Sequence, residues 1–424
     1  MARKDSTPDT SPSQSIPILL PEGFSAEDHL PDWLQARAPS AALLIHHLRT
    51  GAIRTGGQRW LSLPRDDMQR HFGSYRTWAD VRDAFKDAGV WRCDNTYVRH
   101  AKAHWYRLLP PWNDRPLVRH EIVDRAVVRR LSENEQLRRE SEGWGPVHHH
   151  LAAFLAKVQI DRVAAEPWLA TLDPDSRQDC RDIIASFKVG SHKCVRDEYG
   201  RLHTPVTRMM RGLRQFLTYN GRPFGYADVS SCQPFLLGLL CLPGLNAESI
   251  KLGGVLERRK EGEKTPLPFF PPVHTCDRQM SEVDPGLHGY MMANSEGRYY
   301  QEFAAIQGKP CETKDEIAMV KEASCVLIFG KRGPGRAFTK RWRTVAAKLR
   351  DMKESNYLNV AHTLQRLESG MMIEGVCGDL MRDHPRLPLL TIHDGIMAPQ
   401  ESMGLVREAI QRRFGCFGYP VHLK

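Results

Sequence analysis

Nothing in the 424-residue sequence approaches the roughly 20 consecutive apolar residues that a membrane span needs. The longest apolar piece, near Phe235 to Leu242, is short and broken by Gly238, which suits a buried helix, so no membrane partner is expected. The opening residues, MARKDSTPDTSPSQS, lack the apolar core of a signal peptide. They are polar and rich in Ser, Pro and Thr, and a disordered tail is expected over residues 1–38. There is no C-x-x-C pair. The ten cysteines are scattered singly, which argues against a disulfide scaffold and a zinc ribbon and suits reduced thiols in a cytoplasmic protein. No internal repeat of fixed period is present.

What is there is an ordinary globular composition, 41% hydrophobic and 26% charged, in a chain long enough for two or three domains. Lys and Arg number 60 against 50 Asp and Glu, a formal net charge of +10. That balance favours polyanionic partners, because neutralising phosphates releases counterions.

Residues 39–115 read as one small unit: helices over SAALLIHHLRTGAI, RDDMQRHFGS and TWADVRDAFKDAGV, then aromatic, alternating strand material in TYVRHAKAHWYRLLP. Three helices followed by a hairpin is the order of a winged helix, a DNA-binding module. Residues 116–195 read as helices rich in Arg and Glu. The run His148, His149, His150 does not suggest a metal site, since three consecutive helical residues point in three directions. Residues 252–285 are dense in Pro, Gly and charge and are expected to be a mobile insertion. The chemistry is expected in residues 196–424.

Two carboxylates stand out there. RPFGYADVSS is a short strand ending at Asp228, and RLPLLTIHDGIMAP is a β-prone run into His393, Asp394 and Gly395. An Asp at an apolar strand end costs desolvation unless something positive sits beside it. Two such residues can converge on Mg²⁺, which takes a few carboxylates plus substrate phosphates. Taken singly, each is equally a turn or capping residue. Between them lies ETKDEIAMVKEASCVLIFG, a helix with Lys321 and Phe329 eight residues apart on one face. A cation and a ring so placed can hold a nucleotide's phosphates and base, although an ordinary amphipathic helix would look the same.

In this order the three segments resemble family-A DNA polymerases and their relatives, the single-subunit RNA polymerases. Asp228 of ADVSSCQPFLL takes the place of the family's first metal-binding Asp. Lys321, Phe329 and Gly330 match its Lys and aromatic-Gly helix, and His393 and Asp394 match its hydrophobic strand ending in His-Asp. Upstream, YGRLHTPVTRMMRGLRQFL resembles the family's stretch in which Arg201 would approach the primer–template minor groove and Arg214 the phosphates. The match spans roughly residues 199–396. It departs at Ile317, where the family has an Arg for the terminal phosphates; Lys314, about one turn earlier, would reach instead. Cys325 stands in place of a common aromatic, and Gly395 in place of an acidic residue. No Asp-x-Glu exonuclease signature is present.

The resemblance implies an α+β right-hand polymerase: a palm sheet, helical fingers over about 286–355, a reduced thumb over 116–195, and the N-terminal winged-helix-like domain. It implies a DNA-directed DNA polymerase of a mobile element or phage, using two Mg²⁺ ions on Asp228 and Asp394, with DNA primer–template and dNTPs as partners. Gln233 occupies the sugar-gate position, and its bulk, with Phe rather than Tyr at 329, favours dNTPs. Gln365 or Glu368 would face the primer terminus, a buried helix with a few polar positions being the equal alternative. An RNA polymerase or primase, or an inactive DNA-binding replication protein, are the alternatives.

Overall fold

The structure is a computed structural model that describes residues 15–51, 53–55, 58–94, 103–190, 192–252 and 283–424. The expected insertion lies almost wholly outside the described residues, as do the first fourteen residues. The chain divides into two compact units. The first comprises residues 1–143, 155–193 and 208–221; the second comprises 144–154, 194–207 and 222–424. No described helix is long and apolar enough to cross a membrane, and the described cysteines are all free thiols.

In the first unit the strand Ile16–Pro21 pairs antiparallel with Leu117–Ile122, placing Ile18 and Leu20 in the core. The expectation of a disordered tail to residue 38 is therefore corrected from Ile16 onward. Phe24, Leu30 and Leu34 are buried in the same core, and the apolar surface they bury offsets the entropy of ordering the segment. Helix Ala38–Thr50 follows, then the hairpin Ile53–Thr55 and Gln58–Ser62, helices Arg65–Phe72 and Tyr75–Asp87, and strands Trp91–Cys93 and Trp105–Leu108. The four strands form one antiparallel sheet, with Trp105–Leu108 between Gln58–Ser62 and Trp91–Cys93. Gly73, at φ 82°, ends one helix, and Ser74 caps the next by accepting from the Thr77 N–H. Trp78, Phe85, Trp91 and Tyr106 pack edge-on or tilted between the helices and the sheet. Farther along, Asp182 on helix Pro174–Val189 accepts from the buried Arg49 and from Arg59, so charges taken out of water are paired.

The sheet of the second unit runs Leu390–Ile392, Gly395–Pro399, Arg222–Asp228, each pair antiparallel. Helix Cys232–Leu239 leaves the end of Arg222–Asp228 and is apolar nearly all round, so it is buried. Gly238 on it has no room for a side chain: a Cβ would lie 2.2 Å from Met291 Sδ and 3.0 Å from the Tyr290 ring. Tyr290, Tyr299, Phe338 and Trp342 pack together on the helices that follow, edge-on except for the stacked pair Tyr299–Trp342. The long helix Lys314–Phe329 opens with a capping box between Thr313 and Glu316. At its other end, the Lys353 ammonium donates to the carbonyls of Leu327, Gly330 and Arg332 at 2.7, 2.8 and 3.1 Å. Helix Leu358–Ser369 continues without a break as eight π-helical residues, Gly370–Cys377, and returns to α geometry in Gly378–Asp383. The buried Arg413 lies against the π-helical turn where Gly375 leaves space, 3.6 Å from the Asp379 carboxylate.

Candidate active site

Asp228 ends its strand opposite Gly395, and Ile392 pairs with the same Gly395, so Asp394 and Asp228 come to one end of the sheet. The Val229 N–H donates to the Asp394 carbonyl at 3.3 Å, fixing the two strand ends side by side. The turn between Ile392 and Gly395 holds His393 at φ 52°, a conformation few non-glycine residues adopt, and the His393 side chain is exposed.

A third carboxylate, Glu368, stands nearby at the C-terminal end of helix Leu358–Ser369 and is only 2% exposed. Arg201 reaches it with Nη2 at 2.6 Å and Nε at 3.0 Å from Oε1, and the Gln233 amide donates to Oε2 at 2.7 Å. Arg201 arrives through a turn in which the Asp197 carboxylate accepts from the Tyr199 and Arg201 N–H groups. Gly200, at φ 86°, lies against Ser369: a Cβ there would sit 2.9 Å from its Oγ. Tyr199 stacks on His362 of the same helix, 5.0 Å between centroids.

Three carboxylates near one guanidinium make an electrostatically crowded site. Burial pushes the Asp394 carboxyl up to about 7, with further contributions from Glu368 and Asp228 that Arg201 only partly offsets. Cys232, buried among the same groups, has its thiol pushed well up by burial and by Glu368, Asp394 and Asp228. The carboxyl that resists ionising is a place where a hard cation would lower the free energy, and two strand-end aspartates are the oxygen donors such an ion takes. The residues present thus fit Mg²⁺. Among the described residues, Asp228, Asp394 and Glu368 do not close into a three-donor metal cluster; one other trio does, in the first unit.

Lys321 sits on the exposed side of its helix with its ammonium 5.5 Å from the Tyr300 ring centroid. Burial raises the pKa of the Tyr300 hydroxyl, with added contributions from Cys325, Asp394 and Cys232, so this residue lies within electrostatic reach of Asp394. Phe329 and Gly330 close the helix; a Cβ on Gly330 would lie 2.4 Å from the Val326 carbonyl oxygen. Lys314 opens the same helix, about 10 Å along its axis from Lys321.

The structure therefore brings together Asp228, Asp394, Gln233 and Arg201. Arg201 donates its guanidinium to Glu368, and its approach to a primer–template minor groove stays an expectation. Glu368 is the residue that sequence reasoning left undecided beside Gln365; the structure buries it and gives it three hydrogen bonds from two partners. Tyr300 and Tyr226 were missed. Tyr226 fills the space over Gly395, where a Cβ would lie 2.3 Å from its hydroxyl oxygen, which accounts for the absent acidic residue. Arg214 ends a short helix, Arg211–Arg214, in the first unit, and its place beside phosphates stays an expectation. Of the three histidines, His148 is buried and held by the Gly145 N–H and Arg196, His149 is exposed, and His150 packs on Phe154.

No protein-family model and no curated protein matches the chain. Among solved structures it is similar to the POL domain of Pol1 from M. smegmatis, determined in complex with DNA primer-template and dNTP. The alignment has 13% identity and a TM-score of 0.33 over 62% of this chain, and the chain spans 55% of that one, about half its length. A similarity at this level is too low to argue from, so the functional reading rests on the residues themselves.

Proposed function

We propose that the second unit is a template-directed nucleotidyltransferase that extends a DNA primer with dNTPs, with its centre at Asp228 and Asp394. The observation that carries this reading is the convergence of the two strand-end aspartates with Glu368 and Arg201, in surroundings that hold Asp394 near 7. Asp228 and Asp394 would hold Mg²⁺, which when bound polarises phosphoryl oxygens and lowers the pKa of an attacking hydroxyl.

The chain's own groups then divide the remaining work. Lys321 binds the triphosphate and stabilises negative charge as it develops on the leaving group. Lys314, two turns away on the same helix, extends that positive edge. Phe329 offers a ring to the nascent base pair, and Gly330 allows close passage beside it. His393, exposed at the turn, is a polar contact for the incoming phosphates. Glu368, paired with Arg201, is a positioning residue that fixes the Gln233 amide beside the sugar. In the first unit, the helices and sheet of residues 39–115 would form a winged-helix-like DNA-binding module, with Arg214 a phosphate contact.

A specific observation favours the RNA-making alternative enough to test it. The Gln233 amide nitrogen is committed to Glu368, so its carbonyl oxygen is left as an acceptor, and a ribose 2′-hydroxyl is a donor. Extension of a labelled primer on a template, with Mg²⁺ and either dNTPs or rNTPs, tests both. Template-matched extension abolished by Asp228→Asn and by Asp394→Asn supports the enzyme and reads its sugar preference. A folded protein that binds DNA but extends with neither set would leave the inactive DNA-binding reading.

A further inference from the structure

Cys93, Asp94 and His104 lie in the first unit, at the facing ends of strands Trp91–Cys93 and Trp105–Leu108. Each offers one ligand atom, and the three atoms lie within 4.8 Å of one another. We propose that these residues form a binding site for a zinc-class dication that ties the two strand ends together, independent of the nucleotidyl-transfer centre.

The chemistry selects the metal. A thiolate, an imidazole and a carboxylate are a borderline-soft donor set that Mg²⁺ does not favour and Zn²⁺ does. With the thiol ionised and the imidazole neutral, the donors carry two negative charges, which a dication balances. Ligand atoms around tetrahedral zinc lie roughly 3.3–3.8 Å apart, so atoms already within 4.8 Å of one another need move in by no more than about 1.5 Å. Side-chain rotation can supply that movement, because all three residues are only half-buried.

The surroundings match what ligands need. Asp94 Oδ1 accepts from the Trp105 N–H at 3.1 Å, and the Asp94 N–H donates to the Trp105 carbonyl at 3.0 Å, so the carboxylate is oriented by the opposite strand. The Tyr106 hydroxyl shares a hydrogen bond with Cys93, placing a partner beside the sulfur. A cavity of about 180 Å³, lined by Cys93, His104, Tyr106, Trp91, Arg82 and Lys86 among others, opens beside the group and supplies an entry path and room for a water as fourth ligand. Sequence spacing hid this site, because Cys93 and His104 are brought together by strand pairing rather than by a short motif.

The test uses the full chain stripped of metal with a chelator, then titrated with Co²⁺. One equivalent should give a thiolate-to-cobalt charge-transfer band and intense four-coordinate visible bands. Zn²⁺ should displace them, and a large excess of Mg²⁺ should not. Zn²⁺ should raise the melting temperature by roughly 5 °C at saturation. Cys93→Ser and His104→Ala should remove the band, and Asp94→Asn should weaken binding by about tenfold or more. No charge-transfer band at one equivalent, or one that survives Cys93→Ser, overturns the site. If that variant does not fold by circular dichroism, the unmutated chain decides: Zn²⁺ should protect Cys93 from iodoacetamide in mass mapping, and equal alkylation with and without metal overturns the proposal.

Discussion

Arg201 and Glu368 are 167 residues apart in sequence, yet two guanidinium nitrogens of one meet a single carboxylate oxygen of the other at 2.6 and 3.0 Å. Their side chains are 17% and 2% exposed, so this is an ion pair largely withdrawn from water. Breaking such a pair from one side leaves an uncompensated buried charge. Arg201→Met is expected to destabilise the protein by about 3–5 kcal/mol in urea unfolding. Glu368→Met added to it should recover much of that loss, and a double-mutant cycle checks the coupling.

The pH dependence of Asp394 has a definite sign. Its folded carboxyl titrates at about 7, against about 4 in an unfolded chain. Between those values the folded state holds a proton that the unfolded state has lost, so stability falls as pH rises from 4 to 7. In the presence of a chelator, Asp394→Asn is expected to melt above the wild type at pH 8, with the gap closing toward pH 4. Mg²⁺ added at pH 8 should stabilise the wild type and leave the variant unmoved. Calorimetric melts across that range check both statements.

Gly395 is constrained by Tyr226 rather than by its own backbone. A Cβ would come within 2.3–2.5 Å of three atoms of the Tyr226 phenol. Gly395→Ala is expected to cost about 1–3 kcal/mol and to displace the strand end that carries Asp394. Tyr226→Ser in the same chain should relieve it. If the single variant melts like wild type, the packing reading is wrong.

Lys353 closes the helix that bears Lys321. Three carbonyls at its C-terminal end share one ammonium, the arrangement that the negative end of a helix dipole favours. Lys353→Met should cost about 1–2 kcal/mol. Hydrogen exchange should quicken in the last turn before Gly330, and primer extension should slow through a rise in nucleotide KM.

The sequence was most informative where local pattern and chemistry coincide. Asp228 and Asp394 each end an apolar strand segment, and antiparallel pairing to one central strand brings such ends together. The helix from Lys314 to Phe329 was legible from the spacing that puts Lys321 and Phe329 on one face before Gly330. Glu368 was legible only as one of a pair with Gln365, because nothing in LQRLESGMM tells which of the two is buried until Arg201 and Gln233 are placed beside it. Ile16–Pro21 was hidden by two prolines and a polar flank; its partner strand lies a hundred residues on. Tyr226 over Gly395 is a cross-strand relationship, and register is not written in either strand alone.

The π-helical turn between Glu368 and Asp379 makes the length of that stretch a structural quantity. Wider turns take up more residues, so the turn sets the angular phase between the helix before it and the helix after it. Removing one residue there with the wide turns kept would rotate everything beyond by roughly 80–100° relative to Glu368. Asp379 would then turn away from Arg413, and Gly375 would no longer lie under its guanidinium. In this buried stretch a substitution acts at one position, whereas a single-residue insertion or deletion shifts every contact beyond it.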